Sequence, residues 1–207
     1  MTKCAKAMKI CIICEGEEDY DYIKKLLECR VWSPYYIIKP FNAKGINKIA
    51  PIYQNKFQND SYDLVIIFCD TEEDPYFDFN SLIKKIDKFH GKKIAKDIIY
   101  FANPCTMQII LSHFSKVKLT TKSKTRNTPL IKQLTGVDEY RATEPQRNAI
   151  MKQIDAKNYN IMKSNIEILS IDYKTISSTN FLQLINKLES DNTNWVSSLS
   201  KKIIGKA

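Results

Sequence analysis

MKICIICEGEEDYDY, residues 8–22, is the stretch that decides the fold of this chain. Its apolar run Ile10–Cys14 is short and rich in β-branched residues, a pattern that predicts a buried strand. The run stops at Glu15-Gly16, and glycine lets the backbone turn sharply there. The sequence therefore predicts a strand over Met8–Cys14 that places one carboxylate at its carboxyl end.

A second stretch of the same kind lies further along the chain. Leu64–Cys69 is a continuous apolar run, and the acidic sequence Asp70-Thr71-Glu72-Glu73-Asp74 follows it directly. A continuous apolar run suits a strand that is buried on both faces, as in a parallel sheet. Because ligands of such sheets bind beyond the carboxyl ends of the strands, the two acidic ends predict one acidic pocket.

Strand and helix patterns alternate along the first half of the chain, which is typical of an α/β fold with a Rossmann-like parallel sheet flanked by helices. Asn103 and Pro104 are predicted to open the last helix as its cap and first residue. Glu15, Asp70 and Asn103 would then share one edge of the sheet. The predicted strands are Met8–Cys14, Tyr35–Ile38, Tyr62–Cys69 and Asp97–Ala102, and the predicted helices are Glu17–Cys29, Asn47–Phe57, Asp78–His90 and Asn103–Phe114.

The character of the chain changes after residue 114. We expect residues 1–114 to form the α/β domain, and residues 115–207 to form a basic loop and a mainly helical extension packed on it. The extension is predicted to contain helices at 145–162, 179–189 and 193–204 and a short strand at 167–171.

The charge of the chain points to a polyanionic partner. Its formal net charge is +9 over 207 residues, and a basic protein with an acidic pocket suits nucleic acid approached through metal ions. In the segment 115–129 the basic residues are interspersed with Ser and Thr, which can all donate to phosphate oxygens. The alternative is a solvated surface loop without a partner. The predicted nucleic-acid contacts are Lys116, Lys118, Lys122, Lys124 and Arg126.

Other classes of protein are disfavoured by the sequence. No apolar run approaches the roughly 18–20 residues of a membrane-spanning helix, so we expect a cytoplasmic protein without a membrane partner. Cys11 and Cys14 form a C-x-x-C, but their spacing in a strand directs them to opposite faces, which favours buried reduced thiols over zinc. The chain has five glycines and neither of the glycine-rich phosphate-binding motifs, which argues against a nucleotide-binding loop.

Carboxylates at adjacent strand ends predict a site for Mg²⁺ or Mn²⁺, which prefer oxygen ligands. A metal there could activate water and orient a phosphodiester. We expect Glu15, Asp70 and Glu72 to be both catalytic residues and metal ligands, with Asp74 as a further ligand and Glu73 in reserve. The neighbouring acids Glu17, Glu18 and Asp19 are interpreted as helix-start residues, and the histidines His90 and His113 as structural.

The same residues resemble a known family. Cys14–Ile23, CEGEEDYDYI, resembles the glutamate motif of TOPRIM domains, and FCDTEED, residues 68–74, stands where these domains carry Asp-x-Asp. The Asn-Pro helix that ends in His113-Phe114, and Ser178-Thr179-Asn180 ahead of an amphipathic segment, resemble the RloB-like and abortive-infection branch. The resemblance extends over most of the chain through short motifs.

This resemblance implies a TOPRIM-type, Mg²⁺-dependent nuclease acting in phage defence, often beside an ATPase partner. It implies that Glu15 is a general acid/base or metal ligand and that Asp70 is a metal ligand. The chain departs from the family pattern at Glu72, which replaces the second Asp, and at Met107, which stands where the Asn-Pro helix usually carries a glutamate. Either Asp74 or Glu73 supplies the missing oxygen, or the module binds nucleic acid or a partner ATPase without catalysis.

Overall fold

The computed structural model describes residues 7–205 and shows an α/β fold built on a four-stranded, all-parallel sheet. This confirms the parallel sheet predicted from the alternating patterns. The central strands β1 and β3 are buried almost throughout, which explains their continuous apolar runs. The strands are β1 (Met8–Cys14), β2 (Tyr36–Asn42), β3 (Leu64–Asp70) and β4 (Ile99–Ala102), in the order β2-β1-β3-β4.

Helices flank this sheet, and the described residues form ten of them. None of the helices within residues 7–205 is both long enough and apolar enough to cross a membrane. They are α1 (Glu17–Glu28), α2 (Ile46–Asn59), α3 (Phe77–His90), α4 (Ala95–Ile98), α5 (Met107–Ser112), α6 (Lys124–Thr135), α7 (Glu144–Met151), α8 (Ala156–Ile166), α9 (Phe181–Glu189) and α10 (Asn194–Ile204).

The predicted helix start after β4 is wrong. Asn103 and Pro104 lie in a bend and are joined by a cis peptide bond, and α5 begins only after Thr106. The buried Asn103 amide donates to the backbone oxygens of Tyr173, at 2.6 Å, and of Thr175, at 3.1 Å. Asn103 therefore ties a later loop to the end of β4 instead of capping a helix.

Three further boundaries differ from the predictions. The first part of the predicted strand 97–102 belongs to α4, so β4 is shorter than expected. The predicted strand 167–171 does not form, and Ser170 makes only an isolated bridge with Ser178. The predicted helix 145–162 is divided into α7 and α8, because the Asp155 carboxylate accepts two backbone N–H groups as the N-cap of α8.

The second half of the chain completes the core of the sheet. The Phe181 ring of α9 lies 4.7 Å from the Phe68 ring of β3, measured between centroids. Asn180 covers the outer edge of β4, since its Oδ1 accepts from Phe101 N at 2.8 Å and its Nδ2 donates to Ile99 O at 3.0 Å. Residues 115–205 thus contribute to the same hydrophobic core as the strands.

The other edge strand, β2, contains Pro40, which lies beyond the end of the predicted strand Tyr35–Ile38. At the two ends of the β1–β2 ladder, Met8 N donates to Tyr35 O and Ala43 N donates to Cys14 O, both at 2.8 Å. Backbone groups of successive strand residues point in opposite directions, so Pro40 faces away from β1. Because proline has no N–H, it is tolerated on this outward side.

The strand order fixes where a ligand would bind. The chain leaves β1 for β2 on one side and then returns to β3 on the other side of β1. The order therefore reverses between β1 and β3, and in such sheets ligands bind in the crevice beyond the carboxyl ends at this position. Glu15 directly follows β1 and Asp70 ends β3, so both acids lie at this crevice.

Candidate acidic site at the carboxyl ends of β1 and β3

Glu15 and Asp70 are in direct contact. The backbone N–H of Asp70 donates to Glu15 Oε2 at 3.1 Å, and the backbone N–H of Glu15 donates to Phe68 O at 3.2 Å. The hydrogen bonds of the β1–β3 ladder therefore continue into the side chain of Glu15. The structure brings together the two acids that end the apolar strands.

Asp19 is a third acid of the site, and sequence reasoning missed it. Its carboxyl is only 3% exposed, and Oδ2 accepts from the Gly16 backbone N–H at 2.9 Å, which is the predicted helix-start role. Its Oδ1, however, contacts the hydroxyl of Thr106, and that hydroxyl lies 2.9 Å from Asp70 Oδ1. Asp19 and Asp70 are therefore bridged by a single threonine hydroxyl.

The bridging hydroxyl has only one proton to donate. Thr106 N already donates to Asp70 Oδ1 at 2.7 Å, and Thr106 Oγ1 contacts carboxyl oxygens of both Asp70 and Asp19. A hydroxyl is one donor and otherwise an acceptor. One of its two carboxyl contacts therefore needs a proton carried by the carboxyl itself, so this arrangement suits a cluster that retains a proton.

The electrostatics of the cluster agree with proton retention. Burial raises the pKa of Glu15 from 4.5 to about 8, and the charge of Asp19 adds to the effect. Burial likewise raises the pKa of Asp19 from 3.8 to about 7. The pKa of Asp70 lies well above its ordinary value because of burial and then the charges of Asp19 and Glu15. Three carboxyl groups whose pKa values are all raised disfavour full ionisation without a neutralising cation.

A cavity of about 290 Å³ opens beside the three acids. Basic side chains also line it. Among them, Arg147 is held by Asp21, with Arg147 Nε 2.7 Å from Asp21 Oδ2. The cavity is therefore lined by groups of both signs, namely Glu15, Gly16, Glu17, Glu18, Asp19, Asp70, Lys124, Ala142 and Arg147.

Glu72 and Glu73, which follow Asp70, contact the basic segment, residues 115–129. Glu72 has a positive φ of 62° and pairs with Lys122, with Glu72 Oε1 2.9 Å from Lys122 Nζ. Glu73 Oε1 accepts from Thr121 Oγ1 at 2.6 Å and from Lys122 N at 2.8 Å. Asp74 is exposed. Of these acids, Glu72 is near enough for its charge to raise the pKa of Glu15.

The predicted nucleic-acid contacts divide into two groups. Lys122 and Lys124 lie against the site, since Lys124 Nζ is 3.1 Å from Glu18 Oε2 and Lys122 pairs with Glu72. The others are exposed, and Lys124 and Arg126 belong to the first turn of α6 and not to a loop. The exposed members away from these two pairs are Lys116, Lys118 and Arg126.

Met107 is buried at the start of α5 and brings no oxygen to the site. The following residue, Gln108, is also committed to the fold. Its Nε2 donates to Val117 O at 2.9 Å, and its Oε1 accepts from Leu119 N at 2.7 Å. Gln108 therefore braces the segment that leads to Lys122.

His113 is packed in the core, as predicted. It is 1% exposed, with Nε2 3.0 Å from Tyr22 OH and Nδ1 3.0 Å from Asn158 Oδ1. Burial lowers its pKa from 6.5 to about 4, so the ring is neutral at physiological pH. Cys11 and Cys14 are buried free thiols, and burial raises the pKa of both.

Within residues 7–205, no group of three or more His, Cys, Asp and Glu side chains is arranged to hold a metal ion. The described contacts use Asp19 for Gly16 and Thr106, and they leave Glu15 Oε1 and Asp70 Oδ2 without a hydrogen bond. The chain matches no protein-family model, and neither a curated protein nor a solved structure shows a significant match to it. What the site can do therefore follows from its own residues.

Proposed function

We propose that this protein is a Mg²⁺-dependent nuclease of TOPRIM type that hydrolyses phosphodiester bonds of DNA or RNA. One observation carries the proposal: Glu15, Asp19 and Asp70 converge where the strand order of the parallel sheet reverses. The resemblance of the motifs around Glu15 and Asp70 to TOPRIM domains supports the same function.

The chemistry of the donor set suits magnesium. Mg²⁺ prefers oxygen ligands, keeps several waters, and is usually held by one or two carboxylates together with substrate phosphates. Glu15 and Asp70 each have one carboxyl oxygen that no described residue engages, so these two would hold the ion. Glu72 is the nearest reserve ligand and would have to leave Lys122. When bound, the metal would supply charge neutralisation and activation of water.

The chain's own residues support acid–base work at neutral pH. A pKa of about 8 lets Glu15 carry a proton near physiological pH, as a general acid or base requires. Thr106 holds Asp70 through its backbone N–H and its hydroxyl, which fixes the carboxyl orientation before any ligand binds. In this proposal Glu15 is either the second carboxylate on the ion or, where Asp70 alone holds the ion, the general acid or base; Thr106 is a positioning residue.

The basic residues of 116–126 would contact the nucleic-acid backbone. Lys122 and Lys124 are paired with Glu72 and Glu18 in this structure, and exposed ion pairs of this kind contribute little to stability. A phosphate chain can therefore replace those partners at small cost. The resemblance to the RloB-like branch further suggests a cytoplasmic role in phage defence beside an ATPase partner.

Met107 favours a second candidate function. A buried methionine stands where the family pattern has a glutamate. Of the two acids expected to compensate, Glu73 is engaged by Thr121 and Lys122, and Asp74 is exposed and makes no hydrogen bond with the described residues. Without that oxygen the module would bind nucleic acid or a partner ATPase without cleaving. Asp19 does not replace that oxygen, because Gly16 N and the Thr106 hydroxyl engage its two carboxyl oxygens.

The two candidates are separated by cleavage and metal-binding assays. Plasmid, single-stranded DNA and tRNA are incubated with the protein and Mg²⁺ or Mn²⁺, using Glu15→Gln and Asp70→Asn as test variants. Glu167→Gln, an exposed acid after α8, is the matched control. If the protein is a nuclease, either test variant lowers the cleavage rate at least about 100-fold. The control variant leaves the rate unchanged.

Calorimetric titration with Mn²⁺ gives a readout that is independent of cleavage. An active site binds the ion, and Asp70→Asn abolishes that binding. Nucleic-acid binding without cleavage, and without any Mn²⁺ binding that Asp70→Asn abolishes, would support the non-catalytic module. Absence of both binding and cleavage would contradict the metal-dependent nuclease.

A further inference from the structure

One face of the edge strand β2 is open to solvent. Ile37 and Phe41 are 42% and 36% exposed, and the exposed Lys39 lies between them. These residues are two apart, so their side chains project from the same face of the sheet. Tyr35, directly before β2, is 38% exposed. Apolar, aromatic and basic side chains thus alternate along this face.

The open face forms one wall of a groove. Lys9 of β1 pairs in register with Ile37 and extends the same face. Together with Lys39 they line a cavity of about 500 Å³, and residues 59–62 form its other wall. The acid of that wall, Asp60, pairs with Lys56 at 2.9 Å, which offsets its charge.

Beyond this groove, β2 itself runs toward the acidic site. Phe41 pairs in register with Ile13, two residues before Glu15, so about 7 Å of strand separates their levels. Just beyond Phe41, Ala43 N donates to Cys14 O, and Gly45 N donates to Glu15 O, both at 2.8 Å. The carboxyl end of β2 is therefore joined directly to the residue that follows β1.

We propose that this β2 face binds single-stranded nucleic acid and directs it to Glu15. Bases stack on aromatic side chains while lysines contact the phosphates, and this combination is the physical basis of single-strand binding. Tyr35 supplies one stacking surface, and Phe41 supplies the ring face that Lys56 Nζ, 4.7 Å from the ring centroid, does not cover. Lys9 and Lys39 supply the charge. A duplex hides the faces of its bases, so it cannot use the aromatic side chains in this way. The delivery to Glu15 rests on the nuclease proposed above, whereas the binding does not.

Two other occupants fit the face less well. A second copy that added a strand to β2 would pair with the outer edge of β2. The backbone of Pro40 faces that edge, and proline has no N–H to donate to the added strand. A protein partner docking through an apolar patch would bury Lys9 and Lys39, which are exposed here. Lysine is depleted in the cores of protein interfaces.

The test is fluorescence anisotropy in EDTA, so that binding is measured without cleavage. The probes are labelled 15-mers of oligothymidylate and oligouridylate, and a hairpin duplex of similar length. The double variant Tyr35→Leu/Phe41→Leu is expected to bind the single strands about tenfold or more weakly. Phe77→Leu is the matched control, because Phe77 is a 77% exposed aromatic residue on α3.

A second variant removes charge and leaves the apolar packing intact. Lys9→Gln/Lys39→Gln is expected to flatten the slope of log affinity against log salt by about 1.4, since each phosphate contact on a single strand contributes about 0.7. This variant keeps the proposal testable if circular dichroism shows that the aromatic double variant does not fold. An unchanged slope would contradict the proposal that Lys9 and Lys39 contact phosphates.

Several results would overturn the proposal. These are equal losses in Phe77→Leu and the aromatic double variant, tighter binding of the duplex, or a wild-type dimer in sedimentation that the aromatic substitutions dissociate. The outcomes also separate the two proposals. Binding through the β2 face without cleavage would refute only the proposal that the protein is a nuclease. Cleavage that the β2 variants leave unchanged would refute only the proposal that the β2 face delivers the strand.

Discussion

Asp19→Asn is expected to make the metal-free protein more stable at alkaline pH. The asparagine can keep every contact: its Oδ1 can accept from Gly16 N, and its Nδ2 can donate to Thr106 Oγ1. The threonine proton is then free for Asp70, so the conflict over one proton disappears. The substitution removes a buried charge without removing a hydrogen bond.

The magnitude follows from the pKa of Asp19, which is about 7 in the folded protein against an ordinary value of 3.8. Between these values the folded state binds the proton and the unfolded state does not, so the free energy of unfolding falls as pH rises through this window. The loss amounts to about 4 kcal/mol above pH 7, because each tenfold change in proton affinity corresponds to about 1.4 kcal/mol. Asparagine does not ionise, so the variant escapes this loss.

Urea denaturation in EDTA at pH 5 and pH 8 measures this difference. Wild type should lose about 2.5 to 3 kcal/mol of stability between the two pH values relative to Asp19→Asn, because only the two pH units between pH 5 and the folded-state pKa of about 7 contribute. Removing the Asp19 charge also lowers the pKa of Glu15 and Asp70, which acts in the same direction. Glu167→Gln serves again as the exposed control. Parallel pH profiles for wild type and Asp19→Asn would show that the three acids are not a coupled buried cluster.

Three further predictions concern the site and its surroundings. Thr106→Val removes the hydroxyl that orients Asp70 and should lower kcat about 10- to 100-fold while circular dichroism stays unchanged; full activity would contradict the positioning role. His113→Gln should remove a loss of about 2 to 3 kcal/mol between pH 7 and pH 4.5, because the lowered pKa of His113 means that the unfolded state binds its proton first as pH falls; urea denaturation at both pH values tests this, and an unchanged pH profile would refute it. Replacing the four lysines of the basic segment by glutamine should weaken binding across all sequences and flatten its salt dependence, whereas an unchanged salt slope in anisotropy titrations would dismiss the segment as a contact surface. The four are Lys116, Lys118, Lys122 and Lys124.

The parallel sheet and the first two acids were predictable from local patterns. An apolar run that ends in an acid indicates both that the strand is buried and that the acid lies at its carboxyl end. The positions of Glu15 and Asp70 could therefore be predicted without knowledge of tertiary contacts. Asp19 was different, because an acid in a first helical turn has a sufficient local explanation. Only the packing of α1 against Thr106 shows that the same carboxyl is buried beside Asp70.

Long-range contacts also explain the errors at Asn103 and Pro104. Asn-Pro before an apolar run is a good local signal for a helix start. The Asn103 amide instead bonds the backbone of a loop about 70 residues away in sequence. No local pattern encodes that partner, and the same holds for Asn180, which covers the edge of β4 from the far end of the chain.

At both edges of the sheet, backbone groups that an additional strand would need are absent or already bonded. This restricts how the protein can assemble. On β4 the Asn180 side chain occupies backbone groups that a neighbouring strand would need, and on β2 the outward Pro40 offers no donor. The sheet is thus a finite unit that resists growth by edge-to-edge pairing, the usual route to strand-mediated aggregation. An assembly with another protein or another copy would therefore form without strand pairing, for example through helices or across the acidic crevice, and the order of the four strands would stay unchanged.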